Sequence, residues 1–189
     1  MARARGGEES TGPVPVRRRS PDEARILARL KRLAPQQRAL VLALQPFSDD
    51  AGRFDLKRWQ TAFISDDAED IYHVFGVTGA YQALVNHLVE MLHVGARLAG
   101  LDVARGDEKV SAPLLIDAVK EDKGLTANQA EVLKRLYRTR NDLQHASLDA
   151  QADEVYDDIV LLQKTLARFA KSYMRWMEGH GAQLLPRRR

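Results

Sequence analysis

TANQAEVLKRLYRTRNDLQHASL, residues 126–148, reads as a helix, and its residues set the pattern for the whole chain. Thr126 is a good N-cap, and Gln129 three residues on completes a capping box. Val132, Leu133, Leu136, Tyr137 and Leu143 then recur at helical spacing. One more turn of that stripe meets a cation: at about 100° per residue, Arg140 falls between Leu133 and Leu136 on the helix wheel. A guanidinium there is costly unless paired, because it cannot shed its charge by losing a proton. Asn141 and His145 share one face, and Arg140 and Gln144 share the adjacent one. In the plain alternative, Arg140 snorkels past a short stripe and His145 is an ordinary polar residue near a helix end.

Outward from this stretch, every segment with a clear period is helical, and none shows period-2 alternation. The expected fold is therefore an all-α helical bundle. Residues 1–20, MARARGGEESTGPVPVRRRS, read as a disordered basic tail. Ser20-Pro21-Asp22-Glu23 opens a helix with Ile26, Leu27, Leu30 and Leu33 inward. Pro35 is expected to restart a second helix carrying Leu40, Val41 and Leu44, which Pro46 stops. After a loop over 47–55, DLKRWQTAFI, with Phe54, Trp59, Phe63 and Ile64, reads as a short helix that buries its aromatics. Ser65 is expected to cap a long helical region running to Leu98, interrupted or kinked near Gly76 and Gly79. Its core stripe is Tyr81, Leu84, Val85, Leu88, Val89 and Leu92. A polar connection follows over 100–110, then a helix from Ser111 to Glu121 with Leu114, Leu115, Ala118 and Val119 inward. Beyond the motif helix, ASLDAQAD breaks the period. A closing helix over 152–178 places Val155, Ile159, Leu162, Leu166, Phe169, Tyr173 and Trp176 on one side. Residues 179–189 read as a flexible basic tail.

The chain has no Cys, which excludes disulfides, thiolate metal sites and Cys nucleophiles. That absence fits a reducing cytosol, and the expected location is cytoplasmic. The longest apolar run, ALVLAL at 39–44, falls far short of the ~18 residues of a membrane span. The N-terminus carries Arg but no hydrophobic signal core. The formal charge of +3 hides a division. Residues 1–20 hold five Arg and two Glu, and residues 187–189 three Arg, leaving 21 basic against 24 acidic residues, a net −3, for 21–186. A slightly acidic body argues against a broad surface for double-stranded DNA. His73, His87 and His93 form no His-Glu-x-x-His pattern, and no phosphate-loop glycine motif occurs, so neither a metal nor a cofactor is expected.

Arg140-Asn141-Asp142-Leu143-Gln144-His145 resembles the R-N-x-x-x-H signature of the HEPN domains, nucleotide-binding helical domains shared by prokaryotes and higher eukaryotes. The order of elements is similar too: a helix (LLIDAVKED), a short Gly-containing connection, the motif helix, then a long closing helix. The resemblance covers roughly residues 66–178 as a HEPN-like helical bundle, with 21–65 left as an N-terminal helical extension. It implies a metal-independent endoribonuclease, of the kind that serves as a toxin or phage-defence effector. It further implies a two-fold homodimer with both motifs facing one cleft, RNA as substrate, and an antitoxin protein as partner.

Under that resemblance the catalytic residues are Arg140, Asn141 and His145, with Gln144 and Arg138 contacting substrate. RNA cleavage needs a 2′-hydroxyl deprotonated, a leaving 5′-oxygen protonated and a phosphorane stabilised. His145 suits the acid–base work. Arg140 suits the developing charge, and Asn141 orients His145 or holds the scissile phosphate. Arg140 and His145 stand about 140° apart on an ideal helix, so either the helix frays or kinks before His145, or two chains share the site. Where many toxins of the family continue the motif to a modified Tyr, this chain has Ser147. The alternative function is a non-catalytic HEPN-like dimer that binds a nucleotide or a protein partner. In a third reading the motif match is accidental and the chain is a helical interaction protein.

Overall fold

The computed structural model describes residues 20–105, 110–145 and 152–184. The tail expected over residues 1–19 lies outside them, as do Ser147 with the break after His145 and the end beyond Leu184. The described residues form an all-α bundle: α1 (Pro21–Ala43), α2 (Leu56–Phe63), α3 (Ala68–Ala99), α4 (Ala112–Glu121), α5 (Ala127–His145) and α6 (Ala152–Gly179). Their only extended pairing is an isolated bridge between Ser48 and Phe54. No helix among them is long and apolar enough to cross a membrane.

The start of α1 follows its sequence: Ser20 and Glu23 form a full capping box, with Pro21 at the first position. The expected restart at Pro35 does not occur, and α1 runs through it as one helix. Proline removes an N–H and crowds the carbonyl four residues back. Here that strain falls on a solvent-facing turn, while Ile26, Leu33 and Leu40, seven residues apart, stay buried along one line against α3. Because the helix keeps its phase, Val41, expected inward, is turned outward and exposed.

The long helix α3 touches every other helix and is the axis of the bundle. Its cap is Asp67, whose carboxylate accepts from the N–H groups of Glu69 and Asp70 at 2.8 and 3.3 Å; Ser65 instead accepts from Asp67 N–H at 3.1 Å. The interruption expected at Gly76 and Gly79 is absent. Both lie on the outer face of an unbroken helix, with open space where a Cβ would stand. The helix ends at Gly100, in the left-handed region at φ +74°, where a side chain would be strained. On α4 the inward set is Leu115, Ile116 and Val119, and Leu114 points to solvent.

Helices α5 and α6 pack antiparallel, since Gln129 meets Ser172 while Thr139 meets Glu154. The seven apolar residues expected on one side of α6 are all buried. Trp176 lies against two glycines: a Cβ on Gly95 or on Gly124 would stand 2.6 Å from its ring. Residues 21–65 share one hydrophobic core with the rest. Helix α1 covers α3, and the α2 segment is tied to the start of α6, with Trp59 Nε1 donating to Ala152 O at 2.8 Å and Tyr156 O–H donating to Phe54 O at 3.0 Å. At the far end the chain stays docked beyond residue 179. Ala182 and Leu184 are buried, and Gln183 N–H donates to Glu23 at 3.1 Å.

Candidate functional site

Helix α5 carries the motif, and its N-terminus is built as its sequence requires. Thr126 N–H donates to Gln129 Oε1 at 2.9 Å, and Gln129 N–H donates back to Thr126 Oγ1 at 3.2 Å. In the turns before the motif, three polar ties hold α5 in place. Arg135 Nε donates to the wholly buried carboxylate of Asp158 at 2.5 Å. Tyr81 O–H donates to Leu136 O at 2.9 Å, and Thr139 Oγ1 donates to Glu154 at 3.4 Å. Burial, and then the charge of Asp158, push the Tyr81 phenol well above its ordinary range, so it stays a neutral donor.

Arg140 keeps the angular position read from the wheel, with Leu133, Leu136 and Leu143 buried around it, but is itself only half-buried. Its Nη1 donates to Asn141 Oδ1 at 2.8 Å and to Gln144 Oε1 at 2.7 Å. The guanidinium carbon stands 5.8 Å from the centre of the Tyr137 ring. Its Nε is shut from solvent and has no acceptor among the described residues. Nor does any described carboxylate pair with it, so the cation is held by neutral groups at the end of a helix where the dipole favours positive charge.

The structure thus brings Arg140, Asn141 and Gln144 together. Arg138, two residues and about 200° away on the helix, is exposed on a different face and joins none of them. Helix α5 is continuous through His145, without fraying before it. The His145 side chain is outside the described set. Among the described residues no group of three or more His, Cys, Asp or Glu is placed to hold a metal ion. His87, in particular, is buried with Nε2 2.8 Å from Arg29 O.

Two clefts lie at the opposite end of α5, and no motif residue lines either. One, of about 550 Å³, is lined by Lys123, Thr126, Ser172, Arg175 and His180 among others. The other, of about 320 Å³, adds Arg168 and Lys171 and shares Thr126, Ser172 and Arg175 with the first. These cations went unread in the sequence. The available signal was the spacing of Lys164, Arg168, Lys171 and Arg175, which repeats every three or four residues and so makes one ridge. The buried pair of Arg135 and Asp158 left no such signal.

Comparison of the chain with protein-family models, with curated proteins and with solved structures finds no match.

Proposed function

We propose that the chain is a metal-independent endoribonuclease of HEPN type, acting in the cytoplasm as a two-fold homodimer. In this reading it is a toxin or phage-defence effector that an antitoxin protein holds in check. The observation that carries the proposal is the Arg140 guanidinium, bonded to two amide oxygens and to no described carboxylate. Its Nη2 has no partner among the described residues, and a fork so held suits the extra negative charge of a phosphorane. Asn141 and Gln144 fix the fork, His145 moves the protons, and Arg138 takes a substrate phosphate from the exposed face. An unbroken α5 keeps Arg140 and His145 about 140° apart, so an isologous interface supplies the missing convergence by setting Arg140 beside His145 of the partner subunit.

A non-catalytic dimer that binds a nucleotide or a protein is favoured by one feature, the shut-in Arg140 Nε, which suits a structural guanidinium. RNA cleavage in the presence of chelator separates the two. The nuclease leaves 2′,3′-cyclic phosphate ends and loses its activity in folded Arg140→Ala and His145→Ala. Pure wild type that is dimeric and inert on several RNAs turns the assignment to the binding module.

A further inference from the structure

The two clefts beside the start of α5 are compartments of one groove, because Thr126, Ser172 and Arg175 line both. The groove carries five cations, Lys120, Lys123, Arg168, Lys171 and Arg175, against one lining carboxylate, Asp122. Lys120 is paired with Asp117 at 2.8 Å. Asp122 Oδ2 accepts from Trp176 Nε1 at 2.7 Å and lies 2.7 Å from His180 Nε2, so it is engaged by the groove's own wall. No described carboxylate lies within ion-pair reach of Lys123, Arg168, Lys171 or Arg175. Four uncompensated cations in one groove stand out on a body whose net charge is negative.

The spacing says which anion fits. Arg168, Lys171 and Arg175 follow one another at three and four residues, so at 1.5 Å per residue they form a ladder about 10 Å long on one face of α6. A lone phosphate would satisfy one rung. A chain of phosphates satisfies them all, with Lys123 on the opposite wall. The hydroxyls of Thr126 and Ser172 already accept bonds from Gln129, which leaves their own protons free to donate into the groove. A furrow between two packed helices, whose axes run only about 8–10 Å apart, admits a single strand and not a duplex.

We infer that this groove binds the phosphate backbone of single-stranded RNA, as an exosite about 21 Å along α5 from Arg140. The inference rests on the proposed nuclease reading for the choice of RNA, though not for the anion chemistry. The contacts are to phosphates, so binding is indifferent to base sequence and steeply salt-dependent.

The test uses the full chain and a short fluorescent single-stranded RNA, 2′-O-methylated so that it cannot be cleaved, with affinity read by anisotropy across a salt series. Lys171→Glu with Arg175→Glu is expected to weaken binding by about tenfold or more. The log–log salt slope should drop by about 1.4, two phosphate contacts at about 0.7 each. Lys31→Glu with Arg32→Glu, the same charge change on the exposed side of α1, should bind as wild type. Equal loss in both charge-reversed pairs, or loss in neither, overturns the groove. Displacement of the RNA by inorganic phosphate at matched ionic strength overturns the extended track in favour of a single-phosphate pocket. Because this RNA cannot be cut, the binding result stands whether or not the nuclease assay succeeds.

Discussion

Arg135 reaches the carboxylate of Asp158 across the seam between α5 and α6, and Asp158 has no exposed side-chain surface. Its second oxygen, Oδ2, has no partner of its own among the described residues. Removing Arg135 would take away the ion-pair partner of a buried carboxylate. Arg135→Ala is expected to cost about 3 kcal/mol in urea unfolding, the low end for breaking a buried pair, because the Arg side is open to water. Adding Asp158→Asn should recover part of that loss, giving a non-additive cycle. Additive losses would mean that the pair does not couple.

Glycines in this fold divide by what surrounds them. A Cβ on Gly124 would stand 2.6 Å from both Trp176 and Val119, so Gly124→Ala is expected to cost about 2 kcal/mol by overpacking. Gly79 sits in the middle of α3 with open space around it, and Gly79→Ala should stabilise by about 0.5–1 kcal/mol. Thermal melts of the two single variants check the opposite signs.

For the motif, Arg140→Lys keeps the charge and loses the fork. A lysine cannot hold both amide oxygens and still present a second planar edge to phosphate. Cleavage is expected to fall about 100-fold or more with the melting temperature little changed, since Arg140 sits half-buried at a helix end. Equal activity in the Arg140→Lys variant and the wild-type protein would remove the fork from the mechanism.

Acid should loosen the clamp between α4 and α5. Asp117 accepts from Lys120 at 2.8 Å and Lys134 at 2.7 Å, and these bonds hold its carboxyl below the ordinary 3.8. A lowered folded value means that the contribution is present above the ordinary pKa and lost as pH falls through the folded one. Asp117→Asn is therefore expected to flatten the acid limb of the stability–pH curve below about pH 4. An unchanged acid limb would place the loss elsewhere.

At the alkaline end, burial pushes the phenols of Tyr81 and Tyr173 above their ordinary 10.0. A raised folded value means that stability is level below the ordinary pKa and falls as pH rises past it. The expected outcome is that these two phenols ionise only together with unfolding. Phenolate absorbance followed beside circular dichroism checks the coincidence.

Much of the fold was legible because amphipathic period is a local property. The stripe of α6 is buried as its spacing implies, as is that of α3 apart from the half-buried Val89, and the helix start read at Ser20 and the capping box read at Thr126 are both formed. What misled was punctuation. Pro35 and the Gly76–Gly79 pair look like breaks, but each lies on a turn that faces water while the buried face continues past it. At the motif, the angle of Arg140 was readable, whereas its bonds to Asn141 and Gln144 depend on rotamers that no spacing encodes. The basic groove needs α4, α5 and α6 brought together, and a one-dimensional pass sees only the ridge on α6.

The contact between Gln183 and Glu23 also brings the two ends of the described chain together, since the N–H groups of Ser20 and Gln183 both donate to the Glu23 carboxylate. Gln183 lies only three residues beyond His180 in the groove wall. The later turns of α6, which lead to that point, expose Lys164, Arg168, Lys171 and Arg175. Its first turns expose Asp153, Glu154 and Asp157 instead. The side-chain charge of this one helix is thus divided between its two ends. In the field of a polyanion that division favours approach by the cationic end before any contact forms, which raises the encounter rate in dilute salt and forfeits that advantage as ionic strength rises.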